Sequence, residues 1–402
     1  MKYIILVPDG VADEPVKELG GKTPLEAART PNMDFLARQG YSALVRTIPR
    51  GMAPGSDVGN LSLMGYDPST LSGRAPLEAA NLGIELKAGQ VAFRCNLVTV
   101  QDGAMLDYSA GHISIDEAAL IMKDLARELN APGLAYHTGK SYRHICVIDT
   151  DGSGDVQKIA CTAPHDILGQ KFVGYLPKGP KAGILLDQME LSKAILDAHP
   201  VNKARISAGK YPANMTWFWG QGERPRIEPF MDRFAVTGSV ISAVDLVNGI
   251  GRLAGLKVIT VPGVTGYLDT NFRGKAEYAL ASLRDHDFVF VHVEATDEAG
   301  HNGDAKAKVE AVERFDTDVV GPVLEWAKHN PDARILVSPD HPTPLAKRTH
   351  TRAPVPFVMY GKGIEPNRLD RYNEALATQA GLVFNSGEQM IKFFIREEVE
   401  HL

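Results

Sequence analysis

Three apolar runs, far apart along the chain, constrain the fold more than any other feature. Tyr3-Ile4-Ile5-Leu6-Val7, Asp287-Phe288-Val289-Phe290-Val291-His292-Val293 and Arg334-Ile335-Leu336-Val337-Ser338 carry apolar side chains almost without alternation. A strand of that kind is buried on both faces, as happens in parallel sheets covered by helices. Each run ends in a turn or segment bearing acidic or imidazole side chains: Pro8-Asp9-Gly10, then EATDEAGH from Glu294 to His301, then Pro339-Asp340-His341. Open α/β sheets bind ligands outside the carboxyl ends of their strands. Three strand ends from distant parts of the sequence can therefore converge on one site.

The other elements divide the chain. Thr30-Pro31 through Arg38 reads as a helix start, with Gly40 as its stop. From about Arg74 to Phe234 the pattern changes to mixed strands at Val91–Val100, Arg143–Asp149 and Thr216–Trp219, with a helix at Ile115–Leu129. A second helix is expected over Ile241–Leu253, leading into a strand at Lys257–Val261, and an amphipathic helix from Gly387 to about Leu402 closes the chain. The expected architecture is α/β: residues 1–73 and 237–402 form a discontinuous core with a mostly parallel sheet flanked by helices, and residues 74–236 form an inserted, smaller α+β domain. A length of 402 residues suits two domains, since single cores stop growing near about 250–300 residues.

Composition narrows the partners. The net charge of −6 argues against broad nucleic-acid binding, which needs a basic face. A few clustered Arg and Lys can still hold a small anion against an acidic whole. No apolar run approaches the ~18 residues of a membrane span. Cys95, Cys146 and Cys161 are odd in number and lack CxxC spacing, so neither a disulfide framework nor a thiolate zinc site is indicated. The cytoplasm is the expected location, and the oligomeric state is not readable.

The chemistry lies at the strand ends. Asp297 and His301 are four apart, Asp340 and His341 are adjacent, and Asp9 and His350 complete a set of three carboxylates and three imidazoles. Such oxygen and nitrogen donors suit divalent zinc or manganese, and six are enough for two ions if another residue bridges them. In Pro54-Gly55-Ser56-Asp57-Val58-Gly59-Asn60-Leu61, a serine stands in a Gly-rich turn ahead of a helix. Backbone N–H groups and the helix dipole favour a phosphate there, and a divalent cation can activate a serine hydroxyl. An equally good reading makes Ser56 a helix N-cap with Asp57 as a first-turn acid.

These motifs, in order, resemble the cofactor-independent phosphoglycerate mutases of the alkaline phosphatase superfamily, their archaeal-type branch above all. The resemblance rests on VPDG, GGKTPLEAARTPNMD, PGSDVGNLSLMGYDP, GRAPLEAA, AFRCNLVTV, ANMTWFWGQG, EATDEAGH, SPDH and THTRAPVP, which span essentially the whole chain. It implies a phosphatase-type core and an inserted domain that closes on the substrate. It assigns Asp9, Ser56, Asp340 and His341 to one metal ion and Asp297, His301 and His350 to the other. Manganese is the expected metal, with magnesium, cobalt or zinc as alternatives, and no bisphosphoglycerate is required. Lys275, in GVTGYLDTNFRGK, matches a lysine placed near the transferring phosphate. Arg74, Arg94, His112, Arg143, His165 and Asp166 are the candidates for gripping a small phosphorylated, anionic substrate, since Arg binds carboxylate and phosphate in bidentate fashion.

The activity so implied is interconversion of 3-phosphoglycerate and 2-phosphoglycerate through a phosphoserine on Ser56. This chain departs from relatives at His112 and near Trp219, where they carry Arg. Loss of two guanidinium groups keeps two alternatives open: a homoserine kinase-like phosphotransferase and a phosphate-ester hydrolase.

Overall fold

The computed structural model describes residues 1–150 and 152–396. They form two compact units, Met1–Thr70 with Ile227–Leu402, and Leu71–Arg226. Residues 227–236, read from sequence as part of the insertion, fall in the first unit because their aromatic side chains join its core. The Phe230 ring lies 4.4 Å from Phe288 and 4.7 Å from Phe234.

The first unit is built on an eight-stranded sheet. Its order is Val383–Phe384, Tyr41–Val45, Val355–Gly361, Ala333–Val337, Lys2–Pro8, Phe288–Val293, Gly238–Ile241 and Lys257–Val258. The three apolar runs are its centre. Lys2–Pro8 pairs in parallel with Phe288–Val293 on one side and Ala333–Val337 on the other, in register Pro8 to Val293 and Leu6 to Val337. Only Val355–Gly361 runs antiparallel to its neighbours. Ile4, Leu6, Val289, Val291, Ile335 and Val337 are fully buried in one core with helix residues such as Phe272, Ala276 and Phe315. The two-faced burial expected of these runs is present, and the fold is α/β with a mostly parallel sheet.

Two elements differ from their sequence reading. The apolar stretch at 238–253 is a strand, Gly238–Ile241, followed by a helix, Asp245–Leu253. Between them the Ser242 hydroxyl accepts the Val244 N–H at 2.9 Å and makes a turn, which apolar spacing alone does not reveal. The following strand is also shorter, Lys257–Val258. The last helix is described over Gly387–Arg396 and packs on the sheet: Tyr3 Oη donates to Ile395 O at 3.0 Å and Arg334 donates to Phe394 O at 2.7 Å. Its expected continuation to Leu402 lies outside the described residues.

The second unit has an antiparallel sheet in which Gln90–Gln101 pairs with Arg143–Asp149, Ala104–Asp107 and Met215–Glu223. Helix Ile115–Leu129 begins at a capping box between Ser114 and Glu117 and buries Ile121, Met122 and Leu125 against this sheet. Among the described residues no helix is long and apolar enough to cross a membrane.

Candidate metal centre

The register of the three central strands sets the site. Asp9 leaves the end of the first strand with its N–H on the Val293 carbonyl at 2.9 Å, and Ser338 N–H reaches Leu6 O at 3.2 Å. All three carboxyl ends are thus level. Gly10 turns the chain with φ +61°, and a Cβ there would run into the side chains of Asp297 and Thr343. Both the conformation and the space require glycine. Its N–H donates to Asp340 Oδ1 at 3.2 Å.

One cluster comprises Asp9, Asp340 and His341, all buried, with one donor atom of each lying within 4.8 Å of the others. His341 Nε2 stands 3.5 Å from Asp9 Oδ1 and 3.4 Å from Asp340 Oδ2. The Ser56 hydroxyl is 3.1 Å from the same nitrogen. Gly55 is the N-cap and Ser56 opens helix Ser56–Leu63, so the N-cap reading of Ser56 is replaced by one in which its side chain meets His341. Asn60, one turn on, donates to Asp340 Oδ2 at 2.8 Å and to Ser56 O at 2.9 Å.

The second cluster comprises Asp297, His301 and His350. Helix Ala295–Asn302 places Asp297 and His301 on one face at the i, i+4 spacing. Their contact is 3.2 Å, and His350 Nε2 lies 3.5 Å from the other Asp297 oxygen. His301 Nδ1 faces Arg348 O at 3.1 Å, which leaves Nε2 turned toward His350 Nε2 at 2.9 Å. The two clusters touch. The His341 and His350 rings are 4.0 Å apart and inclined by 35°. Seven residues predicted from separate motifs therefore meet.

The electrostatics favour a cation. Burial pushes the Asp9 carboxyl well above its ordinary range, and the nearby Asp340 and Asp297 carboxylates push it further. Burial opposes ionisation of Asp297 too, but hydrogen bonds from His301 and His350 outweigh it and hold this carboxyl well below the ordinary range. Its hydrogen bond to Asp297 lifts His301 to about 9, against desolvation. Burial lowers His341. Asp9 Oδ1 is buried without a hydrogen-bond partner among the described residues. Carboxylates crowded in a low dielectric, an orphan carboxylate oxygen and two imidazole nitrogens facing each other fit divalent cations with mixed oxygen and nitrogen coordination.

Two further groups stand close to the site, His292, which the sequence reading missed, and Lys275, which it named. His292, inside the apolar Phe288–Val293 strand, has Nε2 3.0 Å from Asp9 Oδ2, outside hydrogen-bond alignment, and Nδ1 3.2 Å from Ser242 Oγ. Burial drives it down to about 4. An imidazole within an otherwise apolar strand was the available signal. Lys275 is fully buried and donates to His292 O at 2.8 Å. Burial lowers it to about 8, while Glu294 and Asp9 pull the other way.

In the second unit, five of the six substrate-binding candidates, Arg74, Arg94, Arg143, His165 and Asp166, form one electrostatic neighbourhood. The charges of Arg74 and Arg143 act on Arg94, and those of Arg94 and Arg74 act on His165. Arg94 is committed internally: it forms a fork with Glu78 at 2.9 and 2.7 Å and lies 4.1 Å over the Trp219 ring. The structural ion pair thus accounts for that fork. His165 packs edge-on against Trp219 at 5.2 Å and Tyr108 at 6.0 Å, and lies 3.7 Å from Asp166. Exposed Arg143 covers Tyr142 at 5.4 Å. His112 is exposed on a left-handed turn (φ +49°), its N–H on Ser109 Oγ at 3.1 Å.

Comparison with known proteins gives concordant matches. A family model described as Metalloenzyme superfamily matches residues 1–387. A protein of Methanosarcina mazei named 2,3-bisphosphoglycerate-independent phosphoglycerate mutase is 51% identical over 362 residues, covering 90% of this chain and 90% of its own. One of the same name from Methanosarcina acetivorans is 46% identical over 399 residues, covering 98% of this chain and all of its own. Among solved structures, a Pyrococcus horikoshii protein superposes with a TM-score of 0.83 at 30% identity, covering 100% of this chain and 99% of that one. The cofactor-independent phosphoglycerate mutase of Thermoplasma acidophilum does so with a TM-score of 0.68 at 26% identity, covering 99% and 100%.

Proposed function

The chain belongs to the 2,3-bisphosphoglycerate-independent phosphoglycerate mutases, isomerases of the metalloenzyme superfamily, and from that premise we propose that it moves the phosphoryl group of phosphoglycerate by way of Ser56, at a site holding two divalent cations. In this proposal Asp9, Ser56, Asp340 and His341 hold one ion and Asp297, His301 and His350 the other, with manganese the first choice of metal. Bound there, the ions would favour the Ser56 alkoxide and offset charge on the phosphoryl oxygens.

The observation that carries the reading is the position of Ser56. It opens a helix whose N–H groups favour an anion, and its hydroxyl points into the carboxylate–imidazole cluster, 3.1 Å from His341 Nε2. The Ser56 oxygen would attack phosphorus as the bond to the 2- or 3-oxygen of the substrate breaks. The departing glycerate oxygen takes up one proton, balancing the one that Ser56 gives up, and phosphoserine remains. The other glycerate hydroxyl then attacks phosphoserine, so no water is consumed and Ser56 is regenerated. Lys275, on which the charges of Glu294 and Asp9 act, would add positive charge close to the site.

To the second unit the proposal assigns the grip on substrate and the exclusion of water, which would otherwise hydrolyse phosphoserine. The charges of Arg74 and Arg143 oppose that of Arg94, which Glu78 offsets in part, and an anion among the three would offset them further.

The test is direct. Purified protein with manganese should form 2-phosphoglycerate from 3-phosphoglycerate without added bisphosphoglycerate, and Ser56→Ala should lower kcat by at least about 10³-fold. Near-normal turnover by Ser56→Ala would remove the nucleophile assignment. ATP-dependent phosphorylation of homoserine, without mutase activity, would transfer the reading to a kinase-like phosphotransferase. Release of phosphate alone would make the protein a hydrolase.

A further inference from the structure

The two clusters share one hydroxyl. Thr343 follows His341 by two residues and is fully buried. Its Oγ1 donates to Asp297 Oδ1, in one cluster, and stands 3.3 Å from His341 Nδ1, in the other. The backbone around it is fixed. Thr343 N–H donates to Gly10 O at 3.2 Å, and its carbonyl accepts Lys308 Nζ at 2.8 Å. Lys308 is itself buried in a 2.8 Å ion pair with buried Asp13. Gly300, on the helix that carries Asp297, leaves room for this carbonyl, since a Cβ there would strike it.

A threonine hydroxyl has a single proton. An ionised carboxylate only accepts, so toward Asp297 that proton must be donated. Toward His341 the same oxygen is then left with lone pairs only, and the contact is made when the imidazole carries its proton on Nδ1. In neutral His341 this leaves the lone pair on Nε2, the nitrogen facing Ser56, Asp9 and Asp340. Partners of this kind fix tautomer and ring orientation in metal-ligating histidines.

We propose that Thr343 is a positioning residue that orients Asp297 and selects the Nδ1–H tautomer of His341, so that one hydroxyl prepares a ligand of each cation site. The inference deepens the two-cation reading and rests on it for its binding arm. Its tautomer arm stands apart.

Thr343→Val removes the hydroxyl at nearly constant shape, and Thr343→Ser keeps it. Histidine-labelled full-length protein without metal should show His341 as the Nδ1–H form in long-range ¹H–¹⁵N spectra, with the signal assigned by its loss in His341→Gln. In Thr343→Val the signal should move toward the Nε2–H form, and in Thr343→Ser it should return. Calorimetric titration with Mn²⁺ should give two sites in the unsubstituted chain, both weakened by about 10–100-fold in Thr343→Val and restored to within about threefold in Thr343→Ser. Circular dichroism and thermal melting of the metal-free variants establish that they fold. A folded Thr343→Val with unchanged tautomer and unchanged affinities overturns the proposal, as does a Thr343→Ser that restores neither. An unsubstituted chain that takes up no Mn²⁺ would sink the two-cation reading, while the tautomer arm would still decide the role of Thr343.

Discussion

His301 shows how a single residue couples the site to pH. Its hydrogen bond to Asp297 raises it to about 9, above an ordinary value of 6.5. A group raised in the folded state stabilises the metal-free fold in full below about 6.5, and that contribution fades as pH climbs through about 9. A cation entering the Asp297–His301–His350 cluster must displace this proton. Mn²⁺ affinity should therefore increase from pH 6.5 toward 9, with about one proton released at pH 7.5 by His301. Calorimetric titration in two buffers of different ionisation enthalpy measures that release, and identical heats in both would contradict it. At this scale much of the site was legible, because acids and imidazoles following both-face-buried strands leave few places for their side chains except the strand-end crevice. Asn60, His292 and Thr343 were not, since each acts through a neighbour distant in sequence: Asp340, Asp9 and Asp297 respectively.

The helix Ser56–Leu63 must approach the Asp340 loop closely, and Gly59 is what permits it. A Cβ at Gly59 would collide with the Asp340 backbone carbonyl and side chain. Backbone cannot yield as a flexible side chain would, so Gly59→Ala should cost about 1–3 kcal/mol and displace Asp340 from Asp9 and His341. A lower melting temperature together with weaker Mn²⁺ binding is the expected pair of results. Wild-type values of both would show that the helix can back away freely. The elements best read from sequence were those in which a single period dominates. Helix Ile115–Leu129 and strand Arg143–Asp149 have the expected bounds. The helix read from Thr30 runs over Pro31–Gln39, with Thr30 as its N-cap and Gly40 as its C-cap. Strands Tyr41–Val45 and Val355–Gly361 escaped because their place is set by antiparallel pairing across more than three hundred residues. Their own pattern is short and mixed. Helix Asp245–Leu253 was begun too early because the preceding strand is equally apolar.

For the molecule as a whole, the proposed ligand set joins two stretches of chain that the second unit separates in sequence. Asp9 and Ser56 come from Met1–Thr70, whereas Asp297, His301, Asp340, His341 and His350 come from Ile227–Leu402. Cations held by both stretches would bind the folded first unit and not its unfolded chain. At a free concentration 100 times Kd, one such site adds about 2.7 kcal/mol of stability. For a unit of this size that corresponds to a rise on the order of 5–10 °C in melting temperature. The second unit has its own core around Phe93, Leu97, Ile121 and Trp217, and the two clusters among the described residues that can hold an ion lie in the first unit. Hydrogen exchange on the full chain, with Mn²⁺ and then with a chelator, separates the two. Strands Lys2–Pro8, Phe288–Val293 and Ala333–Val337 should gain protection with the metal, while Gln90–Gln101 and Arg143–Asp149 should exchange at unchanged rates. Equal gains in both sets would mean that the units open as one cooperative block, and the cations would then stabilise the entire molecule rather than the unit that binds them.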